Sequence, residues 1–265
     1  MSNAQLSILI HTSKTMRMRP RDNELHKPVL LDKAIELAAT VKALSPQPLA
    51  RVMHISPSLA SKTHDLFTDW NTTREQQTMA IDAFVGDIYS GLRASSLSIK
   101  DRDYADKHLR ILSGLYGILR PYDGVCPYRL EMGYKLPAAP YDNLYTFWGD
   151  TIANTLPQAG LIVNLSSVEY SRTVLPFVEF TRVVTPKFLT VDKKTGEPAF
   201  TVVHAKIARG AFARWLVVSR VTSVDQFIEF SDIGYLYNAA LSTPKEPVFV
   251  CQEFGGKGLS MRLEV

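Results

Sequence analysis

The chain has 265 residues, of which 46% are hydrophobic and 21% charged, with a formal net charge of +4 and a pI near 9.0. This is the balance of an ordinary globular protein with room for one large or two modest domains, and it excludes a disordered or fibrous chain. The mild basic excess makes phosphates and nucleic acid the first partners to test without establishing either.

The first element expected is a buried strand at residues 6–10, a short apolar run rich in Ile. It leads directly into His11, Thr12, Ser13, Lys14 and Thr15. Hydroxyls and a lysine at a strand end can present donors to an anion, or can be a plain polar loop. The glycines of a nucleotide-binding P-loop are missing. Residues 16–21, MRMRPR, read as an exposed basic stretch.

An amphipathic helix is expected over 29–44, where Leu30, Ala34, Leu37, Ala38 and Val41 recur at helical spacing, with Ser45 to Pro48 ending it. Residues 49–70 read as two short helical pieces broken near Ser56 and Pro57. Thr72 and Glu75 have capping-box spacing before a helix that buries Met79, Ala80, Ala83 and Phe84. Gly86 and Gly91 interrupt that helix. Ser98 with Asp101 predicts a further helix through about Leu112, with His108 as a satisfied residue beside its buried stripe.

Residues 108–150 are unlike a regular element. Arg110, Arg120 and Arg129 recur among Leu, Ile and Tyr, with Glu131 and Asp150 nearby and several glycines and prolines between. Charges set beside apolar residues need partners. The stretch is therefore either an internal ion-pair frame or a pocket for an anion.

Beyond it, 147–156 is expected to be helical and 161–165 a second apolar strand. Ser166 and Glu169 have cap spacing, yet a strand running into a helix start is also an anion site. A hairpin is expected from 183–191 to 198–203 around Lys193 to Gly196. A helix over 206–220 buries Ile207, Ala211, Trp215 and Val218, with Lys206 and Arg209 on a neighbouring face. Residues 230–237 and 248–252 read as closing strands. The mixed order of elements predicts a single α+β, or irregular α/β, domain over 1–265.

Cys126 and Cys251 make no CxxC pair and no metal spacing, which predicts reduced buried thiols. No run reaches the length of a membrane span. The apolar run at 6–10 is too short for a secretory signal and has no basic residues before it. The cytoplasm is the expected compartment, with no membrane partner.

No GxGxxG, HExxH, GxSxG or CxxC motif is present, and the six histidines are scattered. A metal site at His54 and His64 would need geometry that spacing cannot supply. The remaining theme is Lys and Arg beside small and aromatic residues, at Lys14, Arg110, Arg120, Arg129, Lys206, Arg209 and Arg214. Arginine suits bidentate contact with phosphate or carboxylate. Asp87, Glu131, Asp150 and Glu169 could equally absorb these charges internally.

Six motifs carry a resemblance: GDIYSGL at 86–92, HLRILSGLYGILRPYD at 108–123, PYRLEMG at 127–133, LYTFWGD at 144–150, VNLSSVEY at 163–170 and AKIARG at 205–210. In order and over nearly the whole chain, they resemble the YaaA family, which is associated with bacterial resistance to peroxide stress and with binding DNA. The resemblance implies a single mixed α/β body with a positively charged cleft and a helix–hairpin–helix element. It implies that Lys14, Arg110, Arg120, Arg129, Lys206 and Arg209 line the cleft.

Two departures stand out. Where the family's first loop usually resembles Ser-Pro-Ala-Lys-Thr, this chain has His11 to Thr15 with only the Lys14-Thr15 end kept. The region matching the hairpin, about residues 52–70, has no glycine, although glycine is what lets a hairpin backbone approach a phosphate. Ser61 and Lys62 remain as contact candidates there.

Two functions follow as expectations. One is a non-enzymatic binder of duplex or structured DNA. The other is an enzyme acting on a nucleotide-like or other anionic small molecule in an enclosed pocket, with His11, Glu131, Asp150 or Glu169 in acid–base roles. A scaffold with every charge internally paired is the third possibility. No cofactor or metal is expected, and neither a reaction nor an oligomeric state is identified.

Overall fold

The strand Leu6–His11 is apolar on both faces and buried from Leu6 to Ile10, as a strand covered on both sides must be. It lies at the centre of a five-stranded sheet in the computed structural model, which describes residues 6–18, 25–73, 77–137 and 140–256. Parallel strands Leu109–Ser113 and Leu161–Asn164 flank it on either side. Val183–Val184 continues the sheet in parallel beyond the latter, and Gly117–Leu119 closes the other edge in antiparallel pairing. The chain thus leaves the first strand toward one side and returns on the other, so the flanking connections diverge at its carboxyl end. Such divergence opens a crevice.

A second sheet orders Pro198–Ala199, Lys187–Val191, Val248–Cys251 and Tyr235–Tyr237. Phe188, Phe212, Phe230 and Phe249 pack as an aromatic cluster between it and the helix Val202–Val218. That helix also packs against Leu6–His11 and so joins the two sheets. Its closest partner is the short helix Asp87–Leu92. A Cβ at Gly91 would lie 2.0 Å from the Ile207 carbonyl oxygen, and one at Gly210 would lie 1.8 Å from that of Ile88. Two motifs noted in the sequence, GDIYSGL and AKIARG, are therefore the two halves of one close helix crossing.

The expected α+β class is the one observed, and most boundary differences have a local cause. The helix expected at 29–44 is Leu31–Lys42. Ser45 to Pro48 do not merely end it: Pro46 begins the helix Pro46–Met53, where a first-turn proline loses no hydrogen bond. The break near Ser56 and Pro57 is present, with Ser56 capping Pro57–Asp69.

The helix expected across 79–84 is instead a single turn, Ala80–Ala83, between the short strands Thr78–Met79 and Phe84–Val85. Gly86 starts a helix there and interrupts none. The helix from Ser98 ends at His108, because Leu109 to Leu112 are pulled into the central sheet and fully shielded except for Arg110. Residues 147–156 hold the end of one short helix, Leu144–Trp148, and a single 3-10 turn, Ala153–Thr155, separated at Gly149 with φ +48°. The 183–191 segment divides between the two sheets, and Val202 opens the late helix instead of closing a hairpin strand. In that helix Val218 is exposed, not buried. The Thr72–Glu75 cap and the end of the 16–21 stretch lie outside the described residues.

Candidate functional site

At the carboxyl end of the first strand the loop is held from both sides. Thr12 N–H donates to the Leu112 carbonyl at 3.0 Å, and Leu165 N–H donates to Leu9 at 2.8 Å. Asn164 Oδ1 accepts from the Ser166 N–H and hydroxyl at 3.2 and 2.7 Å, which turns the chain so that Ser167 N–H points at His11 Nδ1, 3.2 Å away. Ser167, not Ser166, begins the short helix Val168–Ser171, and its side chain makes no cap bond. A cavity of about 390 Å³ occupies the divergence, with His11, Lys14, Glu131, Glu169 and Lys206 among its lining.

Each of these side chains is delivered by a different element. Gly114 lets the loop carrying Leu130 lie directly on the strand end, since a Cβ there would sit 2.4 Å from the Leu130 carbonyl oxygen. That close approach brings in Arg129 and Glu131. Lys14 Nζ lies 2.9 Å from Glu131 Oε2, which also accepts from the Tyr134 hydroxyl at 2.7 Å. Arg129 donates to the Lys14 carbonyl at 3.4 Å. Glu169 does not seal its own helix; it accepts from Gly133 N–H at 2.9 Å and ties the two loops together. Lys206 stands one turn before Gly210, so the glycine crossing fixes its position.

His11 is the most perturbed group. Burial first, then the positive charges of Arg209 and Lys206, lower its pKa to about 3. Because Nδ1 accepts from Ser167 N–H, the single ring proton is on Nε2. His11 is thus a neutral hydrogen-bond donor at neutral pH and a poor base. Tyr170 stacks on it at 4.9 Å, and Tyr89 donates to its carbonyl at 3.1 Å. Burial raises the pKa of Tyr89 and Tyr170, so this wall is made of protonated phenols.

The structure brings together only some of the residues named from the sequence. His11, Lys14, Glu131, Glu169 and Lys206 line the cavity, Arg129 braces Lys14 from behind, and Arg209 acts on His11 through its charge. Asp150 is exposed beyond Leu144–Trp148 and is not in the lining. Arg110 and Arg120 lie toward the amino end of the strand Leu109–Ser113, in a separate concavity of about 230 Å³ with Lys27. Arg110 donates to the carbonyls of Asp106, Leu109 and Lys107. Arg120 pairs with fully buried Asp123 at 3.0 Å. Arg214 likewise donates to the Leu92 and Arg93 carbonyls.

Ser61 and Lys62 are exposed on Pro57–Asp69. His64 Nδ1 meets the Leu44 carbonyl, and among the described residues no group of His, Cys, Asp and Glu could hold a metal ion. His108 is satisfied by the Leu6 carbonyl at 2.9 Å, and both cysteines are buried and free. Sequence reasoning missed Tyr89 and Tyr170 and the Ser167 N–H. The signal was there for the tyrosines, inside GDIYSGL and VNLSSVEY, but nothing in spacing shows that the two motifs meet.

Fold and site define a mixed α+β protein with a polar pocket at the carboxyl ends of parallel strands. The chain belongs to the family described as Peroxide stress protein YaaA, whose sequence model matches residues 6–241. A UPF0246 protein of Salinispora tropica is 60% identical over 256 residues, 96% of this chain and 97% of that relative. UPF0246 proteins of Burkholderia lata and Ruegeria pomeroyi are 42% and 40% identical, over 84% and 92% of this chain and 89% and 97% of theirs. The family is thus linked to peroxide stress by name. No helix among the described residues is long and apolar enough to cross a membrane.

Proposed function

We propose that this protein binds a small anionic ligand of the phosphate-bearing, nucleotide-like class in the pocket between Lys14 and Lys206. The observation that carries this reading is the cavity itself. Its volume of about 390 Å³ falls within the small-molecule range, and beside the carboxylates of Asp87, Glu131 and Glu169 it holds Lys14, Lys206 and hydrogen-bond donors contributed by separate elements. Lys14 and Lys206 attract the anion, and the neutral His11 Nε2–H donates to one of its oxygens. Were the ligand to react, that donor would oppose developing negative charge, and Glu131 or Glu169 would accept a proton. Asp150, outside the lining, has no part in this reading.

Thermal-shift measurements with inorganic phosphate, pyrophosphate, AMP and ADP test it. At least one should raise the melting temperature of the wild type, and the rise should shrink in Lys14→Ala and Lys206→Ala. Wild-type protein that responds to none of the four at millimolar concentration would overturn the reading.

DNA remains a second reading, favoured by one observation. The helices Pro46–Met53 and Pro57–Asp69 form a hairpin without glycine because His54 takes the left-handed conformation, with φ +50°, and Ile55 N–H donates back to Ala50 at 3.1 Å. Arg51, Ser61 and Lys62 are exposed on this hairpin. Binding through it should be sequence-independent and fall steeply with salt. Absence of a mobility shift at low salt would end this reading.

A further inference from the structure

We infer that the ligand is elongated and carries a second anionic group, received by an adjoining subsite built on Arg17 and Arg93. The inference rests on the pocket reading above and extends it. A second cavity, of about 210 Å³, shares Val85, Gly86 and Tyr89 with the central one, so the two are neighbours across a single low wall. Gly86 keeps that wall low. It has φ +154°, and even a Cβ there would come within 3.3 Å of the Ser13 Cβ.

The same short ribbon sets both ends. Thr15–Met16 pairs with Phe84–Val85, and Arg17 N–H donates to the Ala83 carbonyl at 2.8 Å. Lys14 at the central pocket and Arg17 at the second are therefore three residues apart, no more than about 10 Å of chain. Arg93 is presented from the far end of Asp87–Leu92. It holds an unusual left-handed backbone, φ +49°, which Arg214 secures by donating to its carbonyl at 3.0 Å. Its guanidinium meets Asp232 at 2.5 Å through Nη2, while its Nε–H is buried with no hydrogen-bond partner. Arg93 borders the second cavity as well as the one that Asp232 lines, so an oxyanion in the second cavity would compete with Asp232 for this guanidinium and offer its Nε–H the missing acceptor. The acidic residue in this lining, Asp82, is neutralised by its ion pair with Arg102.

The ligand class is thus one with negative groups at two ends, such as a bisphosphate, and not a terminal phosphate alone. Titration calorimetry with methylphosphonate and a series of alkane-α,ω-bisphosphonates of increasing length reads this directly. Affinity should peak at one chain length, about a hundredfold above methylphosphonate. Arg17→Ala, at an exposed position, and Arg93→Gln should each remove most of that gain and leave methylphosphonate binding unchanged. A flat length series over normal methylphosphonate binding overturns this inference alone, as does a gain that neither substitution reduces. Failure of methylphosphonate itself to bind defeats the pocket reading and this one with it.

Discussion

Lys14 and Lys206 face a cavity at the carboxyl end of the parallel strands, whereas Arg110 and Arg120, toward the amino end of the same sheet, direct their donors into the protein. In sequence the two sets look alike: cations among apolar residues and glycines. The difference comes from what surrounds each guanidinium or ammonium. Arg110 follows the helix Ile99–His108, whose last carbonyls lack partners of their own, and it satisfies three carbonyls in that neighbourhood. Arg120 answers the buried carboxylate of Asp123. The pocket cations sit where strand ends part and the connecting loops leave a cavity.

The largest effect should come from the crossing that fixes Lys206. Gly91→Ala or Gly210→Ala would drive a Cβ into a backbone carbonyl, with no side-chain rotation to relieve it. A loss of about 3 kcal/mol or more is expected in denaturant unfolding. A near-neutral result would show that the crossing does not set the pocket.

The two ends should also respond to acid with opposite sign. His11 takes a proton less readily folded than unfolded, so it withdraws stability as pH falls from 6.5 toward about 3. Asp123, raised to about 6 mainly by burial, takes one more readily folded, so its contribution to stability grows as pH falls from about 6 toward 3.8. The two oppose each other across that window. Asp123→Asn should steepen the acid loss and His11→Asn should flatten it, each by up to about 1.4 kcal/mol per pH unit. Unfolding free energies measured between pH 4 and 7 provide the slopes; identical slopes in all three proteins would break the comparison.

Smaller effects separate the ends by function. Lys14→Ala should weaken anion binding about tenfold while changing stability by less than about 0.5 kcal/mol, since Lys14 is exposed and Glu131 keeps the hydrogen bond from Tyr134. Arg110→Ala should do the reverse, costing about 1–2 kcal/mol through lost carbonyl contacts and leaving binding unchanged. Paired calorimetry and unfolding on both variants would expose a false contrast. The smallest expected change is in Lys62→Ala, which should leave small-anion binding intact and, under the DNA reading, lower the salt slope of DNA binding by about one.

Legibility in the sequence followed the range of the interactions involved. The first strand, the Leu31–Lys42 helix, the paired helices around Ser56 and the Ser98 cap all rest on neighbours within one or two turns, and all are present. Leu109 to Leu112 read as helix in the sequence because their apolar pattern suits either element, and sheet partners just over a hundred residues away make them a strand. Five of the named site residues, His11, Lys14, Glu131, Glu169 and Lys206, meet in one cavity; Arg110, Arg120 and Asp150 lie elsewhere.

By itself, then, the sequence determined the α+β class, the apolar strands, the capped helices and the motif set that marks the family, because periodicity, capping and motifs are written locally. Only the tertiary structure decided which cations face the central cavity and which are absorbed by carbonyls and Asp123. It also decided that His11 is neutral and donates through Nε2. Those outcomes depend on burial and on partners such as Ser167 N–H, 156 residues away, which no spacing within the chain can specify.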